Sequence, residues 1–161
     1  MNAGAIYSSW SLRDNSDRKS SFESQLTKCM AKARELGITV PTTNVFFEVD
    51  TGLNSIHALP ELSQLNDLVR SGAIGTVFCS SPDRLTLKPP DLIAICEEFM
   101  NNGIRLILAD PPELPGPTDQ LMRYIISYTN AKLPAIGLVG IIREEQPGTL
   151  TLQTNIGNVN C

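Results

Sequence analysis

Residues 73–109 read AIGTVFCSSPDRLTLKPPDLIAICEEFMNNGIRLILA, and this stretch decides the fold. Ala73 to Cys79 is a short apolar run with the composition of a buried strand. Pro89, Pro90 and Asp91 open a helix, since proline's missing N–H costs nothing in the first turn. Leu92, Ile95, Cys96 and Phe99 recur at spacings of three and four, and Gly103 stops the helix. Ile104 to Ala109 is a second apolar strand. A strand, a helix and a strand in this order predict parallel pairing.

The alternation continues outward. Upstream, residues 44–49 (NVFFEV) form a β-branched and aromatic strand. Pro60 then starts a helix with Leu62, Leu65, Leu68 and Val69 on one face and Gly72 as its stop. Residues 3–9 (AGAIYSS) read as a first strand. After it, Phe22, Leu26, Cys29, Met30, Ala33 and Leu36 mark an amphipathic helix, with its N-cap expected at Ser20-Ser21 and its end at Gly37. Downstream, a proline-rich loop over 110–117 precedes a fourth helix starting near Thr118. The expectation is an α/β fold, a single three-layer domain with a largely parallel sheet over residues 1–133. Residues 134–161 read as a C-terminal extension, where IGLVGII and TLTLQT flank EEQPG and predict a β-hairpin. Sites in such sheets gather at the carboxyl ends of the strands, here 8–14, 50–59, 80–87 and 110–117.

With 161 residues, 42% of them hydrophobic and 19% charged, the chain can bury a full core. Its apolar runs are too short to span a bilayer. The opening MNAGAIYSSW lacks the basic and apolar regions of a secretion signal, so a cytoplasmic location is expected. Cys29, Cys79, Cys96 and Cys161 form no C-x-x-C pair and have a single histidine, His57, to join them; buried, reduced thiols are expected and no metal site. Net charge is −4, whereas a free-standing DNA binder normally carries a basic face.

Three loops carry candidate chemistry. The first holds Ser8, Ser9 and Ser11 with Arg13 and Arg18 nearby. A serine needs activation to attack anything, and serines after a strand commonly serve as loop or cap residues. The second offers His57. The third, SSPDRLTLKPPDL, places Asp83 beside Arg84, either a structural ion pair or a guanidinium offered to a phosphate. No glycine-rich phosphate loop follows any strand. Carboxylates at Glu48, Asp50 and Asp110 could take magnesium, though their spacing does not require it.

Taken together, over roughly residues 3 to 125, these segments resemble the catalytic domain of the serine site-specific recombinases, the resolvase/invertase group and the large serine integrases. That family opens with a strand ending Tyr-x-Arg-x-Ser, and here the stretch is Tyr7-Ser8-Ser9-Trp10-Ser11. SFESQL, residues 21–26, fits the family's Ser-x-Glu-x-Gln segment, and Asp83-Arg84-Leu85-Thr86 matches four of the five positions of Asp-Arg-Leu-(Ser/Thr)-Arg.

The resemblance implies a serine that attacks a DNA phosphodiester, forming a 5′-phosphoserine linkage and releasing a 3′-hydroxyl within a dimeric or tetrameric assembly. It implies no metal or other cofactor, since arginines balance the transition-state charge. Carried over, Ser11 is the expected nucleophile, Arg84 the phosphate-binding group, Asp83 its partner and Gln25 a supporting residue. Arg13, Arg18 and Lys88 are expected to contact substrate.

The departures fall where that charge should be. Ser9 takes the slot of the first motif's arginine, Leu59-Pro60 stands for the family's Arg-Pro, and Leu87 replaces the last arginine. Each such donor is worth roughly 3 kcal/mol of transition-state stabilisation, so weakened or lost catalysis is expected. The family's long C-terminal helix with its Glu-Arg pair also has no counterpart in residues 129–134, TNAKLP. DNA affinity is therefore expected to need a region outside this chain. The alternative is a binding or assembly module that keeps the fold without the chemistry.

Overall fold

The computed structural model describes residues 3–12, 14–50, 55–110 and 116–133. Its elements are strands β1 (Gly4–Ser11), β2 (Val45–Asp50), β3 (Thr76–Cys79) and β4 (Arg105–Leu108), and helices α1 (Arg18–Glu35), α2 (Pro60–Ser71), α3 (Pro89–Asn101) and α4 (Pro117–Ala131). The four strands form one parallel sheet in the order β2-β1-β3-β4. The α/β expectation holds. The predicted hairpin in 134–161 lies outside the described residues.

Strand alternation builds the layers. On β1, Ile6 turns to one face, where Phe78 of β3 and Cys29 and Ala33 of α1 bury it. Ala5 and Tyr7 turn to the other, against Leu62, Leu65 and Val69 of α2, Leu92, Ile95 and Phe99 of α3, and Met122 and Ile126 of α4. One helix covers one face and three cover the other.

Several boundaries differ from the sequence reading. β1 runs on to Ser11, because Ser9, Trp10 and Ser11 pair with Glu48, Val49 and Asp50 of β2. Polar residues continue a strand when a neighbour completes their ladder. The N-cap of α1 is Asp17 rather than Ser20-Ser21, its carboxylate accepting from the Ser20 amide at 2.9 Å. Helix α2 starts on Pro60 with no side-chain cap of its own and ends on Gly72, whose φ of 79° is a left-handed conformation that glycine adopts without strain. β3 begins at Thr76, three residues later than predicted.

The three described cysteines are free and buried. Burial, and then the Asp110 carboxylate, push the Cys29 thiol from about 9 up to about 12. Burial likewise raises Cys79 and Cys96, and burial with Glu48 raises the Tyr7 hydroxyl. The folded state therefore holds protons that the unfolded chain releases near pH 9, so the stability they contribute is complete below that pH and lost as pH climbs toward 12. Thermal melts at about pH 8 and about pH 10.5 should show a clear fall in Tm at the higher pH; an unchanged Tm would mean the thiols already titrate in the folded state.

Candidate active site

Because side chains alternate along a strand, Tyr7, Ser9 and Ser11 share one face of β1. Residues after β2 and β3 close around that face. The result is a cavity of about 210 Å³ at the carboxyl ends of three parallel strands, lined by Ser9, Ser11, Asp14, Asp50, Leu59 and the segment Asp83 to Lys88, among others.

Arg84 comes from the single 3-10 turn Pro82–Arg84 that follows β3. Its Nη1 donates to both carboxylate oxygens of Asp14 at 3.0 Å and to the Ser9 carbonyl at 3.1 Å. In return the Ser9 hydroxyl donates to the Arg84 carbonyl at 2.7 Å. Asp14 itself sits in a turn after β1, its Oδ2 accepting from the Ser11 amide at 2.8 Å. Arg84 and Asp14 are about four-fifths buried, so little solvent screens the pair.

The expected Asp83–Arg84 partnership is corrected here: the ion pair of Arg84 is with Asp14. Neighbouring residues in a 3-10 turn are rotated about 120° apart, and Asp83 instead accepts from the Ser81 hydroxyl. Gln25 is buried and holds the strand: its Oε1 accepts from the Ser9 amide at 3.1 Å, while its Nε2 donates to the Ser9 carbonyl at 2.7 Å and to the Ser21 hydroxyl at 3.0 Å. Lys88 lines the cavity from extended backbone at the start of α3. Arg18 is drawn elsewhere; its guanidinium lies 5.4 Å from the centre of the Trp10 ring. Arg13 lies outside the described residues.

Two contributors went unread in the sequence. Asp14 is one; the signal available was its position three residues after Ser11, the spacing at which a carboxylate folds back onto an amide. Glu48 is the other. It is buried, accepting from the Tyr7 hydroxyl at 3.1 Å and from the Leu62 amide at 2.8 Å, so it supplies from β2 the cap that α2 lacks. Asp110, the third carboxylate considered for magnesium, pairs with Lys28. Among the described residues no cluster of His, Cys, Asp or Glu has the arrangement of a metal site.

The sequence pattern described as "Resolvase, N terminal domain" matches residues 8–132. This chain belongs to the resolvase family. It is 28% identical over 151 residues to the "Putative DNA recombinase" of Bacillus subtilis (strain 168), a match covering 91% of this chain and 29% of that protein. This resolvase-family domain thus spans under a third of the length of that curated relative. Its fold resembles the C-terminal catalytic domain of ISC1926 TnpA, an IS607-like serine recombinase, with 22% identity, a TM-score of 0.57, and 89% of this chain and 82% of the other covered. The N-terminal catalytic domain of TP901-1 integrase gives 19% identity, the same TM-score, and coverage of 89% and 98%. Within the resolvase frame, Ser9, Leu59 and Leu87, the three positions where arginine was expected, all line the cavity that holds Ser11 and Arg84.

Proposed function

We propose that this domain serves in DNA recombination, with Ser11 as the attacking group, and that its phosphoryl transfer is strongly weakened. In the step considered, Ser11 Oγ bonds to phosphorus as the P–O3′ bond breaks, and the serine's proton ends on the departing 3′-oxygen. The observation that carries the reading is the cavity wall. Among the described residues that line it, four carboxylates (Asp14, Asp50, Asp83, Asp91) face two cations (Arg84, Lys88), with Leu59 and Leu87 where guanidinium groups would stand. Catalysis of phosphoryl transfer is largely electrostatic, so a wall of this composition works against it. The net charge of −4 on the chain favours DNA affinity supplied largely by a region outside it.

The Asp14–Arg84 pair also favours a second reading, a binding or assembly module without chemistry. A pool of random-sequence duplexes incubated with the protein separates them. A low yield of covalent adduct, located on Ser11 by mass spectrometry and abolished in Ser11→Ala, supports the first. An abundant, fast-forming adduct would overturn the weakening. No adduct, with Ser11→Ala unchanged in oligomeric state, favours the module.

A further inference from the structure

We infer that Asp14 is a built-in occupant of the anion seat, a carboxylate standing where a phosphate would bind, so that the site opens only when this side chain leaves. The inference rests on the reading of Ser11 and Arg84 as the phosphate-handling pair. It adds the residue that controls access to them.

One oxygen carries the argument. Asp14 Oδ2 accepts simultaneously from the Ser11 amide at 2.8 Å and from Arg84 Nη1 at 3.0 Å. A backbone N–H and a guanidinium converging on one point are the donors that recognise an oxyanion. They converge here on the chain's own carboxylate, at the wall of the cavity that Ser11 lines. A phosphate oxygen on the same donors would lie within van der Waals contact of that carboxylate and repel it. With Arg84 neutralised from within, carboxylates outnumber cations among the described residues of the wall, which disfavours entry of free anions.

The geometry allows release. Asp14 is held at one end by β1, through its own amide donating to the Ser11 carbonyl at 3.0 Å, and at the other by Asp17, the N-cap of α1. The bonds that hold its carboxylate run to the Ser11 amide and to Arg84 Nη1, so a rotation about its own side-chain torsions clears the seat without unfolding either element. Arg84 keeps its bond to the Ser9 carbonyl meanwhile and stays aimed at the vacated point.

The test is anion binding by Asp14→Asn, which keeps a side-chain acceptor for the Ser11 amide but removes the charge, and by Asp14→Ala, which removes both. Inorganic phosphate is titrated into wild type and both variants, following the Ser11 amide and the Arg84 side-chain N–H signals by NMR. A short duplex oligonucleotide is titrated in parallel, to tell free phosphate from DNA phosphate as the occupant. Both variants are expected to bind at least about tenfold more tightly than wild type, the factor lost with one charge-assisted contact. Equal binding by wild type and variants, or no binding by folded variants, overturns the inference. Phosphate binding without any covalent adduct would leave the inference standing while removing the recombination reading of Ser11.

Discussion

Leu87→Arg is expected to raise the yield of Ser11–DNA adduct by about 10²-fold, the effect of a single preorganised donor at a phosphoryl or acyl transition state. Leu87 is the position to choose among the three. Its side chain is 45% exposed, it lines the cavity, and it lies between the 3-10 turn and α3, so arginine displaces no core packing. Leu59 is 4% exposed and packs in the main core, where a guanidinium would lose its hydration. Replacing Ser9 would remove the hydroxyl that ties β1 to the Arg84 carbonyl. Adduct yield on denaturing gels, compared for wild type, Leu87→Arg and Leu87→Lys, checks the expectation. Lysine should recover less, because it lacks the fork that grips two phosphate oxygens. A folded Leu87→Arg protein with no gain over a measurable wild-type yield would show that charge at this wall does not limit the reaction.

Glu48→Ala is expected to destabilise the fold by about 3 kcal/mol. The substitution strips the acceptor from two buried donors at once, the Tyr7 hydroxyl and the Leu62 amide. Both bonds use Oε1, so Glu48→Gln retains an acceptor and should lose only about 1 kcal/mol. Urea unfolding of the three proteins measures the difference. Equal losses for the two variants would place the effect in the charge near the start of α2 rather than in the hydrogen bonds. Either loss is a sizeable share of the 5–15 kcal/mol typical of a domain.

The ease with which the sequence yields the fold has a physical source. Apolar period and glycine stops are local signals, and Leu62, Leu65 and Val69, or Leu92, Ile95 and Phe99, announce their helices without reference to the rest of the chain. Strand ends are harder, because the polar tail of β1 is extended by pairing with β2, a contact between residues about 40 positions apart. The site divides along the same line. Ser11 and Arg84, singled out by motif order, line one cavity, and Gln25 grips Ser9 beside them. Asp14 was not legible as the partner of Arg84, since that pair links positions 70 apart that only the folded sheet brings together. Asp83, next in sequence to Arg84, was the natural but mistaken choice. The capping role of Glu48 escaped for a related reason: nothing local to a carboxylate in the middle of a strand shows that the N-terminus of α2 covers it.

Trp10 is the sole tryptophan of the chain, and it sits one residue before Ser11 with its indole N–H donating to the Ser16 carbonyl at 3.1 Å and the Arg18 guanidinium over its ring. The turn carrying Asp14 is thus spanned by a fluorophore that belongs to the protein. Any departure of that turn from its resting position changes the polarity and quenching around one indole, so the emission of the unlabelled protein is an optical gauge of the backbone beside Asp14.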